Sequence, residues 1–283
     1  MNTNCKDSFA FTHLFKFLLV TVFLTVTISP LFAQGNLLIY PKRVVFEGRN
    51  KIEKLVLSNV GKDTAVYNIS FLEYKMKTNG ELKIISEPEE GQYFASPNVR
   101  FYPRKVTLAP NESQTVKVQL RNSQKLKEGE YRSHLYFRAG LNNSALGEKE
   151  QSKDSTVTVS LKPVFGLSIA CIVRKGISTT SISISNIKLI QPKEDYYALK
   201  FLLNRSGNMS VYGDFTVHYI TAEGTKYEVA KMKGVGVYTP GTLRDIKIRL
   251  YRPKNVVFNG GYFKVAFTKN ESKKILTEAN LKL

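Results

Sequence analysis

The chain has 283 residues and a formal net charge of +19, from 42 lysines and arginines against 23 aspartates and glutamates. Two cysteines, no tryptophan and three histidines exclude a disulfide-stapled mini-protein and a cysteine- or histidine-rich metal fold. So strong a basic excess points to an anionic partner; for an exported chain this means acidic polypeptide, carboxylate terminus or membrane surface rather than nucleic acid.

Residues 1–33 carry Lys6 and Lys16, then the apolar run 17–32, then Ala33-Gln34. That is the three-part layout of a secretory signal. Pro30 interrupts the run, which is shorter than the ~20 residues a spanning helix needs. Leu31 is an imperfect minus-three residue for a cut after Ala33, so an uncleaved anchor is the competing reading. Removal of the signal takes Cys5 with it. Cys171 is then alone, at an inward strand position, and is expected to act as a small core hydrophobe.

From residue 36 to 138 the text is strands and turns. Residues 37–46, 54–59, 65–76, 101–108, 114–120 and 131–138 read as strands, with a hairpin signal at Asn79-Gly80. Turns at this spacing over so long a stretch predict an immunoglobulin-like sandwich. A polar stretch, 140–154, follows without apolar period. Residues 155–174 then alternate over twice or three times a usual strand length: Val157, Val159, Leu161, Pro163, Phe165, Leu167, Ile169, Cys171 and Val173 fall on one face. Pro163 cannot donate to a ladder, which places the strand at an edge or bulge. An open apolar strand is a template for pairing with another chain; a long central strand of an ordinary sandwich is the alternative.

Beyond Lys175-Gly176, strands recur at 178–185, 197–204, 214–220, 225–229, 243–250 and 262–268, separated by Gly- and Pro-bearing turns. The predicted organisation is thus all-β: residues 1–33 a signal peptide, 34–174 an immunoglobulin-like domain, 175–283 a second, shorter β-sandwich. No nucleophile elbow, phosphate loop or zinc-protease motif occurs. His134 alternates with Tyr136 in a strand and reads as structural. The expectation is a protein that is not an enzyme and takes no cofactor or metal.

Five stretches carry a resemblance. LIYPKRVVFEGRNK, VRFYPRKVTLAPNESQTVKVQLR and KEGEYRSHLYFRA in the first half, with LNRSGNMSVYGDFTV and GVGVYTP in the second, resemble the blocks of periplasmic pilus (fimbrial) assembly chaperones, closest to their archaic chaperone-usher branch. The resemblance implies two immunoglobulin-like domains in an L or boomerang, a periplasmic location, and pilin subunits and an outer-membrane usher as partners, with no nucleotide, nucleic acid or cofactor. It implies that the long strand is lent to a subunit lacking its last strand. Val157, Val159 and Leu161 would plug the subunit's core, with Phe165 next and the residues from Leu167 onward turned to the chain's own core. Three such side chains contribute roughly 5–8 kcal/mol before ordering costs. The resemblance also implies a pair of basic residues holding the subunit's terminal carboxylate. Arg43 matches the first; the second falls near Ala170, so Lys162, Arg104 or Arg132 would have to substitute, with Arg104 preferred. The dense block Asn204, Arg205, Gly207, Asn208, Tyr212 and Gly213 reads as structural or domain-orienting. A surface structural or adhesin-type sandwich is the alternative, weakened because residues 34–37 run straight into the first strand with no free donor segment.

Overall fold

The computed structural model describes residues 37–140, 164–193, 196–270, 272 and 274–283. The expected signal segment and the donor positions Val157, Val159 and Leu161 lie outside the described residues, as do Lys162 and Pro163.

Seventeen strands are described. In chain order they are β1 (Leu37–Tyr40), β2 (Arg43–Phe46), β3 (Ile52–Asn59), β4 (Ala65–Met76), β5 (Leu82–Ile85), β6 (Val99–Tyr102), β7 (Lys105–Leu108), β8 (Ser113–Leu120), β9 (Gly129–Ala139) and β10 (Gly166–Lys175). There follow β11 (Ser181–Lys193), β12 (Tyr196–Ser206), β13 (Val211–Ile220), β14 (Lys226–Val237), β15 (Leu243–Leu250), β16 (Tyr262–Lys269) and β17 (Ile275–Lys282). The fold is all-β, in two sandwiches that belong to one compact unit, Asn36–Leu283.

In the first sandwich, the sheet β1-β3-β8-β6 packs on the sheet β2-β10-β9-β4, whose outer edge is completed by β5 and β7 on different halves of β4. Alternation does the sorting. In β8, Val116, Val118 and Leu120 are buried while the residues between them are exposed. They meet Val44, Phe46, Leu135, Phe137 and Cys171 from the facing sheet in one apolar cluster. In the second sandwich, β11-β12-β15 faces β14-β13-β16-β17. Its core is aromatic: Phe201 and Phe267 flank Phe215 with ring centroids at 5.0 and 4.7 Å, close enough to add to plain area burial.

Two expected strands are each split by a proline. The run 37–46 becomes β1 and β2, parted at Pro41, and 101–108 becomes β6 and β7, parted at Pro103. In both cases the two halves join different sheets. Proline has no N–H to give to a ladder, so the chain leaves one sheet there and enters the other. Both peptide bonds, Tyr40–Pro41 and Tyr102–Pro103, are cis. One strand, β17, has no counterpart in the sequence reading; its burial alternates between exposed and half-buried only.

Candidate functional site

β10 is the strand around which a site can be built. Along one side it pairs antiparallel with β9 over its full length, Gly166 opposite Arg138 through Lys175 opposite Gly129. On its other side β2 runs parallel to it, from Ala170 opposite Arg43 to Val173 opposite Phe46. From Gly166 to Ile169 that second side has no strand partner among the described residues. The ladder with β9 begins one step earlier still, where the Ala139 N–H donates to the Phe165 carbonyl at 3.0 Å. Among the described residues, the first half of β10 is therefore held by one neighbour while its other edge is bare.

The side chains follow the same division. Ile169, Cys171 and Val173 are buried in the first core, whereas Leu167 is 43% and Phe165 49% exposed. The expectation that residues from Leu167 onward face the chain's own core is corrected: the change comes at Ile169. The reason is geometric. β2 closes the flank from Ala170 onward, and Ile169, adjacent to that closure, already packs in the first core cluster; beside Leu167, three residues before Ala170, nothing described covers that flank. On the opposite face, Tyr136 lies across Gly166, and a Cβ built there would sit 2.2 Å from the Tyr136 hydroxyl. A larger residue at 166 would have to displace that ring.

Arg43 opens β2 and stands directly opposite Ala170, at the end of the bare stretch. Its guanidinium lies 4.1 Å above the ring of Tyr212 in β13, so the second sandwich holds the side chain in place by a cation–π contact. Arg104 is elsewhere. It is exposed, and its carbonyl accepts from the Ile69 N–H on the far side of β4. The path from β2 to β7 crosses β10, β9 and β4, four strand spacings or about 19 Å. The structure does not bring Arg43 and Arg104 together as a pair.

Nor is Arg132 a free cation. Glu130 and Arg132 are 1% and 9% exposed. Arg132 donates Nε and Nη2 to Glu130 Oε1 at 3.1 and 2.8 Å, and Nη2 also to Ser210 Oγ at 2.7 Å. Its guanidinium sits 3.8 Å above the Tyr238 ring. The other carboxylate oxygen accepts from Arg174 Nε at 3.1 Å and the Ser210 N–H at 3.2 Å, while the Ser210 hydroxyl donates to Oε1. Burial alone would raise the Glu130 carboxyl; Arg132, the Ser210 hydroxyl and Arg174 outweigh it and hold it below the usual carboxylate range. This cluster joins β9 and β10 of the first sandwich to the start of β13 in the second.

The block 204–213 completes the junction. Arg205 donates to the carbonyls of Gly241, Gly207 and Met209 at 2.7–2.8 Å. Asn208 donates to the Ile177 carbonyl and accepts from the Thr179 N–H, and its own carbonyl accepts from the Glu130 N–H. Gly207 has φ +87°, and a Cβ there would lie 2.5 Å from the Thr179 carbonyl oxygen. A second tie comes from the turn after β4, where the Asp245 N–H donates to the Thr78 carbonyl. Sequence reasoning singled out the block, which contains Ser210, but not its pairing with Glu130 and Arg132 of β9, because those are brought to it by the fold alone.

Two further groups are chemically quiet. Burial, then the nearby Arg132 charge, pulls the His134 imidazole down to about 3, and its ring stands edge-on to Tyr74 at 4.8 Å. Burial, then the Glu73 charge, pushes the Cys171 thiol up to about 12, so it is a packing residue rather than a nucleophile.

No protein-family model matches the chain, and no curated protein does. Solved structures similar to it include the YadV chaperone, at 13% identity and TM-score 0.43 over 88% of this chain and 100% of that one. The class 5 fimbriae chaperone CfaA aligns at 14% and 0.45, over 87% and 98%. The CsuC–CsuE chaperone–tip adhesion subunit pre-assembly complex, from archaic chaperone-usher Csu pili of Acinetobacter baumannii, aligns at 12% and 0.40, over 74% and 89%. At these identities and TM-scores the likeness carries no argument about what this chain binds.

Proposed function

We propose that the protein is a non-enzymatic, periplasmic chaperone that captures secreted pilin-like subunits by lending them a strand, and passes them on to an outer-membrane usher. The observation that carries this reading is the bare edge of β10 from Gly166 to Ile169, with Phe165 and Leu167 half exposed beside it. An unpaired edge with alternating apolar side chains offers main-chain hydrogen bonds and plugs together. Val157, Val159 and Leu161 continue the same alternation upstream and extend the lent segment.

The direction of β2 gives the capture a polarity. A client strand laid on the bare edge in line with β2 and parallel to β10 runs toward Arg43. Its terminal carboxylate then meets a guanidinium already oriented by Tyr212. Arginine suits this task, since its planar fork donates two parallel hydrogen bonds to a carboxylate. Arg104, remote on β7's side, takes no part in this arrangement, and Arg43 acts as the anchor with Lys162 left as a second cation upstream. The assignment to the archaic branch rests on the sequence blocks of the second sandwich.

The test is co-expression of the chain with a secreted β-sandwich subunit that lacks its last strand, followed by pull-down. A one-to-one complex lost in Val159→Asp and in Leu167→Asp supports strand lending. A complex that survives both variants overturns it.

A further inference from the structure

The strand-lending site uses little of the chain's positive charge, and the second sandwich shows where part of the remainder is concentrated. In the sheet β11-β12-β15, Lys188 stands directly opposite Lys200, and Lys200 directly opposite Lys247. Residues directly opposite in a sheet point to the same face. The next position inward, Leu199 with Ile248, is in the core, so the three lysines project outward, and all three are exposed. Adjacent strands are about 4.8 Å apart, so three like charges form one row about 10 Å long. Arg249 extends the row on the same face. Lys247 and Arg249 both lie over the ring of Tyr196, at 5.7 and 5.3 Å.

Like charges directly opposite one another destabilise a sheet, and this row has little to offset that. Among the described outward positions of these three strands, Asp245 is the single carboxylate, 3.2 Å from Lys200. The other sheet of the same sandwich is built differently. On its outer face Lys264 pairs with Glu278 at 2.9 Å, and His218 stands opposite Glu228. Lys226, Lys231 and Lys282 on that sheet stand opposite Ile220, Thr216 and Tyr262 rather than one another, so it is the lining-up of the lysines and not their number that sets β11-β12-β15 apart.

We infer that the outward face of β11-β12-β15 is a docking surface for an anionic lipid bilayer. The choice of occupant rests on the character of the face. A folded protein partner needs an apolar, charge-poor centre, and here the centre is the lysine row itself. A bilayer surface needs only long flexible cations that reach headgroup phosphates, with tyrosine at the boundary between apolar and polar layers. Lys188, Lys200, Lys247 and Arg249 supply the first and Tyr196 the second. The face lies on the second sandwich, away from β10, so its role stands or falls independently of strand lending.

The experiment is flotation of the full chain with vesicles of mixed phosphatidylglycerol and phosphatidylcholine, and with phosphatidylcholine alone. Each lysine near an anionic surface is worth roughly 1 kcal/mol, so the triple variant Lys188→Gln/Lys200→Gln/Lys247→Gln should bind the anionic vesicles about 100-fold more weakly. The charge-matched triple Lys226→Gln/Lys231→Gln/Lys282→Gln, on the opposite sheet, should bind as the unaltered chain does. Replacing the same three row lysines by arginine should preserve binding, and circular dichroism should show every variant folded. Equal loss in both glutamine triples overturns the inference in favour of general basicity. Equal binding to neutral vesicles, or no vesicle binding at all, also overturns it. So does row-dependent binding of heparin or polyglutamate without binding to vesicles, which assigns the face to a soluble polyanion.

Discussion

Truncating the two exposed plugs at the head of β10 tests the strand-lending edge directly. Leu167 is 43% and Phe165 49% exposed, so each has about half of its surface left to bury. Full burial of a side chain of this size stabilises by about 1.5–3 kcal/mol, so capture of a client gains roughly 1 kcal/mol from each. The double variant Phe165→Ala/Leu167→Ala should then lose about 2 kcal/mol of binding, close to 30-fold in Kd. The probe is a fluorescently labelled peptide of alternating apolar residues with a free C-terminal carboxylate, followed by anisotropy. The same variant should leave the free chain's melting point within a few degrees, since each kcal/mol moves Tm by about 2–4 °C in a protein of this size. Unchanged peptide affinity would refute the reasoning. So would a large fall in Tm, because it would mean that these side chains already serve the chain's own core.

The remaining expectations concern charge. Arg43→Ala should weaken the free-carboxylate peptide but not its C-terminally amidated form, and should lower Tm by only a few degrees, the stack on Tyr212 being worth about 0.5–1 kcal/mol; equal weakening of both peptides counts against a carboxylate anchor. Glu130→Gln leaves buried Arg132 and half-buried Arg174 without their anion, and breaking a buried pair costs about 3–5 kcal/mol, so Tm at neutral pH should fall on the order of 10 °C. The Glu130 carboxyl is held low in the fold; its contribution is present above the ordinary carboxylate pKa and lost as pH falls through the folded value, so the variant's deficit should shrink in acid. Glu73 is the opposite case. Burial raises its carboxyl against the Ser133 and Ser96 hydrogen bonds, and its Oε2 is buried with no hydrogen-bond partner among the described residues. A raised carboxyl destabilises the fold at pH values above its folded pKa and ceases to do so once protonated, so Glu73→Gln should raise Tm at pH 7 and not at pH 4; a lower Tm at pH 7 would show that the charge is wanted.

Much of the fold was legible because strand alternation is a local property. The spans 65–76 and 243–250 coincide with β4 and β15, since each carries its own apolar period and is bounded by turn residues. The two sandwiches and their all-β character follow from the same signal. The junction was legible in one half only. The block 204–213 stood out as dense in Asn, Gly and Arg, but Glu130, to which its Ser210 bonds, lies 80 residues earlier in the chain.

What the sequence by itself determined, then, is which segments are strands and which side of each is apolar, because those depend on neighbours one and two residues away. Where a strand stops being covered depends on a different strand. Leu167 and Ile169 are alike in the pattern, and only the end of β2 opposite Ala170 makes one exposed and the other buried. Arg43 and Arg104 both precede apolar strands and follow prolines, yet the sheet order sets them on opposite edges. Lys188, Lys200 and Lys247 are scattered in the text and become one row only through strand register. Register and sheet order are set by the packing of two faces against each other, and no local pattern contains them.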